Sequence, residues 1–264
     1  MHRLTVFGAT GRMGQAVLRA VRECGDFAVA GAVASAGSAA LGRDAVLEGP
    51  PCGVRVSADA AAALGGAAVA LDFSAPTAVA AHALACAAAG VPLVVGTTGL
   101  DPRTVEGLHA AAARIALLLA PNTSIGVNLL ERLAVIAARG LGPAFDVEIL
   151  EAHHRAKRDA PSGTAVRLGE AIAAAKGERL AEQALYERHG DVGPRPDGGI
   201  GFAVLRGGDI VGEHTVLFAG DGERIELTHR ATDRMIFARG ALRAAAWLVG
   251  RAPGLYRMQD VLGL

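Results

Sequence analysis

The segment LTVFGATGRMG, residues 4–14, places three glycines between a short apolar run and a stretch of helically spaced apolar residues that continues to Val21. Gly8, Gly11 and Gly14 stand where a dinucleotide-binding fold needs a tight turn and a close approach of the backbone to a pyrophosphate. The following helix would direct its unpaired N–H groups and positive dipole end at the same anion. The segment predicts a strand, a phosphate-binding turn and a helix, with a plain strand-to-helix turn as the alternative.

Further apolar runs extend this unit into a sheet. They lie at residues 27–33, 67–73, 92–95 and 115–119, and helical stretches at 77–89 and 103–113 separate the last three. Short apolar strands that alternate with helices are typical of a parallel sheet with helices on both faces. The uncharged segment 75–95 has the length of a membrane span, but Pro76, Gly90 and Pro92 interrupt it and alanine dominates it. We therefore expect a buried helix and a strand there.

The pattern changes after Pro121. A helix at 125–139, a more polar strand at 146–151 and a helix at 162–176 precede three alternating polar and apolar strands, at 201–206, 210–219 and 224–232. The turns between these strands, Gly207-Gly208-Asp209 and Gly220-Asp221-Gly222, favour antiparallel hairpins. A final amphipathic helix spans 235–249. We predict an α/β protein with a Rossmann-type domain at 1–124 and a smaller α+β domain at 125–234.

The charge balance limits the possible partners. The 264 residues include 26 basic and 26 acidic side chains, so the formal net charge is zero, and no long basic run is present. This excludes the electrostatic footprint of a nucleic-acid or anionic-membrane binder, and a charged ligand must be held by a local cluster. Cys24, Cys52 and Cys86 show neither disulfide-framework nor zinc spacing, and the N-terminal residues carry no export signal. We expect a cytoplasmic protein.

The choice of cofactor depends on a residue that is missing. NAD-binding folds place a carboxylate on the adenosine ribose about 20 residues beyond the glycine turn. That count reaches Ala34, while Asp26 comes too early and Asp44 too late. Without that carboxylate a 2'-phosphate is not repelled, and Ser35 and Arg12 can bind one. We therefore expect NADPH to be favoured over NADH.

A second constellation is EAHHRAKRDAPSGTA, residues 151–165, which places two histidines and three cationic side chains between His153 and Arg158. Pro161-Ser162-Gly163-Thr164 resembles a loop that turns into a helix, so its N–H groups add a second anion site beside the cations. A small, multiply anionic substrate is implied, and the histidines can exchange protons near neutral pH. The alternatives are a solvated charged loop, a structural histidine pair, and a metal site formed by His153, His154 and Asp159. The metal site is the weakest, because adjacent residues of an extended segment point to opposite faces.

These motifs resemble the 4-hydroxy-tetrahydrodipicolinate reductase family, formerly called dihydrodipicolinate reductase, of bacterial lysine and diaminopimelate synthesis. The resemblance runs nearly from end to end of the chain. It rests on five motifs, of which residues 151–165 are the most specific: the turn at 8–14, GTTG at 96–99, APNTS at 120–124, the block at 151–165, and GGDIVGEH at 207–214.

The resemblance implies roles for individual residues. His153 would be a proton donor or acceptor and Lys157 a proton donor, while His154, Gly163 and Thr164 would hold the substrate carboxylates. A hydride from NADPH or NADH would reduce the unsaturated ring carbon, and water would be lost from the 4-hydroxy compound. The implied cofactor contacts are Gly8, Ala9, Thr10, Gly11, Arg12, Met13, Gly96, Thr97, Thr98, Ala120, Pro121, Asn122 and Thr123.

The resemblance also implies an assembly and a chain path. The family forms homotetramers through a mixed sheet of the second domain, and its last helix returns to the first, which adds residues 235–264 to that domain. Two positions depart from the family pattern. Ala34 and Ser35 replace a frequent acid followed by Arg, and Thr123 replaces a frequent Phe near the nicotinamide.

Two other functions compete with this assignment. One is a different NAD(P)-dependent reductase or dehydrogenase on the same architecture, although a semialdehyde enzyme would need a reactive cysteine, and no cysteine lies in a motif here. The other is a non-catalytic NADPH-binding sensor whose second domain only assembles partners. A sensor would not need His153 and Lys157.

Overall fold

The computed structural model describes residues 1–264 and divides into two compact units. Unit 1 comprises Met1–Ile125 and Met235–Leu264, and unit 2 comprises Gly126–Arg234. The predicted boundary between residues 124 and 125 differs from this division by one residue.

The first part of unit 1 alternates strands and helices. Its elements are β1 (His2–Phe7), α1 (Arg12–Cys24), β2 (Phe27–Val33), β3 (Val56–Ser57), α2 (Ala60–Ala63), β4 (Val69–Asp72), α3 (Pro76–Ala89), β5 (Leu93–Val95), α4 (Pro102–Ala112) and β6 (Ala116–Leu119). The uncharged segment 75–95 is thus a helix and a strand, and no helix of the protein is both long and apolar enough to cross a bilayer.

Unit 2 holds its helices against a second sheet. Its elements are α5 (Ile125–Leu141, which begins at the last residue of unit 1), β7 (Asp146–His153), α6 (Gly163–Ala175), α7 (Leu180–Gln183), β8 (Ala184–Leu185), β9 (Ile200–Arg206), β10 (Gly212–Gly220) and β11 (Glu223–Ala231). The chain then returns to unit 1 through α8 (Met235–Leu248), β12 (Gly254–Tyr256) and α9 (Met258–Leu262).

The first sheet has seven parallel strands in the order β12-β6-β5-β4-β1-β2-β3. Apolar clusters cover both of its faces, one of them including α1 and α8 and the other α3 and α4. Chain order reverses at β1, which lies between β2 and β4. In open parallel sheets a ligand binds at such a switch point, beyond the carboxyl ends of the strands. The predicted fold class is confirmed.

The second sheet is mixed, in the order β11-β10-β7-β9-β8. The hairpin predicted at Gly220-Asp221-Gly222 is present, because β10 and β11 pair antiparallel. The hairpin predicted at Gly207-Gly208-Asp209 is wrong, because β9 pairs in parallel with β7, and β7 separates it from β10. Alternation of polar and apolar residues identifies the buried face of a strand, but it does not identify which other strand pairs with it. Residues 207–211 instead cross the end of β7.

Candidate active site

The predicted cofactor-binding residues follow the carboxyl ends of β1, β2, β5 and β6, so they share one edge of the first sheet. Gly8 has a positive φ of 73°, and a Cβ there would lie 2.5 Å from the carbonyl oxygen of Phe73, so glycine is required at this turn. Helix α1 begins after Gly11 without a side-chain cap, and its first turn contains no acidic residue. Its N–H groups and the nearby Arg12 therefore suit an anionic pyrophosphate.

Several of these residues can offer a ligand only their backbone. Ala9 is fully buried. The buried Thr97 hydroxyl donates to Asp72 Oδ1 at 2.9 Å. The Thr123 hydroxyl donates to the carbonyl of Phe237 at 2.7 Å, so it is turned into the protein. The cofactor edge is thus formed mainly by main-chain groups.

Neither of the two acids nearest to Ala34 in the sequence, Asp26 and Asp44, brings a free carboxylate to the end of β2. Ala9 N–H donates to Val33 O at 3.0 Å, which places the glycine turn beside the end of β2 and the exposed Ser35. Asp44 accepts from the N–H groups of residues 46, 52 and 53, so its carboxylate is already engaged. Asp26 precedes β2 and lies at the opposite edge of the sheet.

In unit 2 a buried carboxylate organises the site. Glu151, on β7, receives a two-pronged ion pair from Arg206, with both N–O distances at 2.7 Å. Its Oε1 also accepts the N–H of Ser162 at 2.9 Å, and its Oε2 lies 2.5 Å from Nδ1 of His153. Burial raises the pKa of Glu151, but the bonds from Arg206, His153 and Ser162 outweigh it and hold the pKa below its ordinary value. Glu151 is therefore an anion with every lone pair directed at a donor.

The ionised Glu151 fixes the tautomer of His153, because a carboxylate only accepts and Nδ1 must therefore donate. Burial lowers the pKa of His153, and the charges of Lys157 and Arg206 lower it further, which outweighs the raising effect of Glu151. His153 is thus a neutral imidazole whose Nε2 carries a lone pair. A Cβ at Gly212 would lie 3.0 Å from this Nε2, so glycine leaves room beside it.

The loop after β7 carries the remaining predicted residues. His154 is half-buried, and Lys157 Nζ donates to both carboxylate oxygens of Asp159 at 2.8 Å. Ser162 caps α6 by accepting the N–H of Ala165, so Gly163 and Thr164 are the first two residues of that helix. No group of three or more His, Cys, Asp or Glu side chains is arranged to hold a metal ion.

Sequence reasoning missed two more histidines on this face of the sheet. Nε2 of His214 lies 2.9 Å from the Ser162 hydroxyl, and its ring meets that of His153 edge-on, with centroids 5.2 Å apart. Burial lowers the pKa of His214 to about 4. His229 lies opposite His214 in the β10–β11 register. In the sequence, His214 is visible only as part of the GGDIVGEH motif.

Glu151, Arg206 and Asp72 were also missing from the predicted site. For Glu151 the signal was the Glu-x-His spacing, because residues two apart on a strand share a face. Arg206 stands 55 residues from Glu151, and nothing in the local pattern joins them. Asp72 ends an apolar run that was predicted to be a buried strand, and a carboxylate in such a run is a signal in itself.

Two family models match the chain. The model described as "Dihydrodipicolinate reductase, N-terminus" matches residues 2–123, and the model described as "Dihydrodipicolinate reductase, C-terminus" matches residues 126–262. Together they span almost all of both units.

Individual relatives agree with these models. The 4-hydroxy-tetrahydrodipicolinate reductase of Anaeromyxobacter dehalogenans is 55% identical over 266 residues, which cover 100% of this chain and 98% of the relative. The enzyme of the same name from Thiobacillus denitrificans is 53% identical over 263 residues, with 99% and 98% covered. The solved structure of dipicolinate-bound dihydrodipicolinate reductase from Paenisporosarcina sp. TG-14 has a TM-score of 0.80 at 25% identity and covers 98% of each chain.

Proposed function

The chain belongs to the 4-hydroxy-tetrahydrodipicolinate (dihydrodipicolinate) reductase family, and from this premise we propose how its residues divide the work of the reaction. Its activity is that of a 4-hydroxy-tetrahydrodipicolinate reductase in lysine biosynthesis. The observation that carries the proposal is the cluster of Glu151, His153 and Arg206, of which Glu151 and His153 lie in the same segment as Lys157. A protein that only senses NADPH has no need for it.

The cofactor is NAD(P)H, and when bound it supplies the hydride. The turns at 8–14, 96–99 and 120–123 would hold it through main-chain groups, and α1 would receive the pyrophosphate at its uncapped N-terminus. Reduction consumes one hydride and one proton and releases the 4-hydroxyl group as water. The protein must therefore hold a proton close to the substrate ring.

We assign Lys157 as the proton donor. Its ammonium carries three N–H groups, and the exposed Asp159 holds it at the surface of the site. His153 is neutral in this arrangement, with its only ring proton committed to Glu151, so it acts as a proton acceptor and orients the substrate. Arg206 balances the charge of Glu151, so Glu151 does not need a charged His153 as its partner.

The substrate is a dicarboxylate, and the relative from Paenisporosarcina was solved with dipicolinate. We place one carboxylate at the start of α6, where the N–H groups of Gly163 and Thr164 and the helix dipole favour an anion. His154 would bind the same anion as a hydrogen-bond donor. Arg155 and Arg158, both exposed, raise the local positive potential for a doubly charged ligand.

The decisive experiment compares the only two lysines of the chain, Lys157 and Lys176. We expect Lys157→Ala to lower kcat about 100-fold or more, because a general acid contributes on that scale, while the Kd for NADPH stays close to that of the wild type. Lys176→Ala removes the same charge beyond the end of α6 and should leave kcat within about twofold. The assay supplies substrate enzymatically and follows NADPH oxidation.

Equal kcat values for the Lys157 and Lys176 variants would exclude Lys157 as the donor. A wild-type protein that binds NADPH but turns over no substrate would exclude the proposed division of roles as a whole.

We propose that NADPH is preferred over NADH. Ala34 and Ser35 bring no carboxylate of their own to repel a 2'-phosphate, and Arg12 lies on the adjoining turn. NADH remains usable as well, because a ribose 2'-hydroxyl is smaller than a 2'-phosphate and fits wherever the phosphate fits.

We further propose that the protein is a cytoplasmic homotetramer. One face of the second sheet packs on helices, and its other face exposes Leu150 (42%) and Leu205 (53%) beside a recess of about 390 Å³. An exposed apolar sheet face is typical of an assembly surface. Light scattering should give a mass of roughly four chains, and Leu150→Lys should reduce it. A single-chain mass for the wild type would contradict the proposal.

A further inference from the structure

Asp72 is a fully buried carboxylate that the proposed chemistry does not use. It ends β4, and its Oδ1 accepts the N–H of Ser74 at 2.8 Å, the hydroxyl of Ser74 at 2.7 Å and the hydroxyl of Thr97 at 2.9 Å. Its Oδ2 lies 2.7 Å from Nδ1 of His82. Burial raises the pKa of Asp72, but the bonds from His82 and Ser74 outweigh it and keep the pKa below its ordinary value. A buried anion needs such a complete set of donors.

The segment that Asp72 controls lies between two predicted cofactor turns. On one side, a Cβ at Gly8 would lie 2.5 Å from the carbonyl oxygen of Phe73 and 2.8 Å from Cα of Ser74. On the other side, the ring of Phe73 packs directly on Gly96, and the Gly96 N–H donates to the carbonyl of Asp72 at 2.8 Å. Residues 72–74 therefore set the separation of the turns at 8–14 and 96–99.

Thr97 connects the second of these turns to Asp72 by its side chain. The residue is 6% exposed, and its hydroxyl also lies 3.3 Å from the carbonyl of Asp72 and 3.4 Å from that of Ser74. Because this hydroxyl points into the protein, Thr97 can meet a ligand only with its main chain. Main-chain donors have no side-chain torsion to adjust, so their position depends on the turn being held still.

We propose that Asp72, together with Ser74, His82 and Thr97, is a positioning element that fixes the two cofactor turns in register for NAD(P)H. Asp72 itself has both carboxylate oxygens engaged by these protein donors. The inference rests on the proposed placement of NAD(P)H at these turns. Its particular consequence is that loss of one Asp72 bond weakens cofactor binding in the absence of substrate.

The test is Thr97→Val, which removes the hydroxyl and preserves the shape of the side chain. We expect the Kd for NADPH to rise about tenfold, which is the scale of a lost hydrogen bond to a charged group. Binding is measured without substrate, by energy transfer from Trp247, the single tryptophan of the chain. Thr97→Ser restores the hydroxyl and should recover most of the affinity.

The matched control is Thr5→Val in the same sheet. Thr5 is fully buried and its hydroxyl donates to the carbonyl of Ala63 at 2.6 Å, so this variant also loses one buried bond, but not one to Asp72. It should lower the melting temperature and leave the Kd for NADPH nearly unchanged. Ser74→Ala is a milder second variant in case Thr97→Val fails to fold, and it should raise the Kd about threefold.

An unchanged Kd in both Thr97→Val and Ser74→Ala would overturn the inference. An equal rise of the Kd in Thr5→Val would also overturn it, because the effect would then be one of general stability. If the wild-type protein bound neither NADPH nor NADH, the proposed function itself would fail, and the inference would lose its premise.

Discussion

The two units each contain a buried carboxylate bonded to Nδ1 of a histidine, and they surround that pair differently. In unit 1, hydroxyl and amide donors complete the shell of Asp72, and the ring of His82 stacks on Phe7 with centroids 4.2 Å apart. In unit 2, Arg206 brings a full positive charge to Glu151. The first pair is enclosed by packing, whereas the second is balanced by charge.

The different surroundings of the two carboxylate–histidine pairs indicate a different role for each. The ring of His82 lies nearly parallel to Phe7, at 11°, so its main contribution is one Nδ1–H bond that keeps Asp72 in place. The ring of His153 has Nε2 beside Gly212, where no side chain covers it. Because Arg206 already neutralises Glu151 and its charge lowers the pKa of His153, the ring stays neutral and Nε2 keeps a lone pair that can accept a proton. Under the proposed function, the pair holds neighbouring segments in place in unit 1 and takes part in proton transfer in unit 2.

The strongest test of this contrast replaces each histidine with asparagine. The Asn amide nitrogen occupies roughly the place of Nδ1, so it preserves the bond to the carboxylate and removes the rest of the ring. We expect His153→Asn to lower kcat about 100-fold, because the lost Nε2 takes part in proton transfer. His82→Asn should change kcat by less than about threefold. Steady-state kinetics at saturating cofactor measure both, and equal losses in the two variants would break the contrast.

A second test concerns the effect of pH on stability, and it applies to His214 in unit 2. Burial lowers the pKa of His214 to about 4 from an ordinary value of 6.5. Below pH 6.5 the unfolded chain therefore binds a proton at His214 that the folded protein does not bind. The contribution of His214 to the free energy of unfolding is fully present above pH 6.5 and is lost as the pH falls towards 4. His214 is 4% exposed, and the loss amounts to ~3 kcal/mol at about pH 4.

The variant His214→Gln isolates this contribution, because all other groups titrate in both proteins. Urea unfolding followed by circular dichroism should show the wild type losing ~3 kcal/mol more than the variant between pH 7 and pH 4. A constant difference between the two proteins across this range would mean that His214 does not titrate as described.

The smallest expected effect comes from a variant that introduces a carboxylate at the end of β2 in unit 1. Ala34→Glu would place a carboxylate at the ribose, where it repels a 2'-phosphate and accepts from a 2'-hydroxyl. We expect the ratio of kcat/KM for NADPH to that for NADH to fall about tenfold. Ala36→Glu, on an exposed neighbour, is the control and should change the ratio much less. An unchanged ratio in both variants would remove the ribose argument.

Much of unit 1 could be predicted from the sequence because its signals are local. The glycines at 8–14 and the short apolar runs that follow identify a parallel sheet, and parallel strands bring their carboxyl ends to one edge. His153 and Lys157 could be found for the same reason, since one segment concentrates the charge of the site. Arg206 could not, because it reaches Glu151 across 55 residues, and the bond between Asp72 and Thr97, across 25 residues, was likewise not visible in the pattern.

The strand order of unit 2 was the main error, and it has a physical cause. The pattern of β9 and β10 is that of a hairpin, and the turn Gly207-Gly208-Asp209 is rich in glycine. In the structure the same glycines let the chain cross the end of β7, where the Gly207 N–H donates to the carbonyl of His153 at 3.0 Å. Pairing between distant strands, which decides this case, leaves no trace in the pattern of either strand.

The return of the chain to unit 1 affects how the protein is made. Helix α8 contributes Ala238, Ala241 and Ala245 to a core of that unit, and β12 is the edge strand beside β6. During synthesis the ribosome must therefore add all of unit 2, which takes about 5–20 s, before these pieces exist. Unit 2 can fold as soon as it emerges, while the nascent unit 1 waits with one flank of its sheet open. The unit that is translated first is the last to be finished.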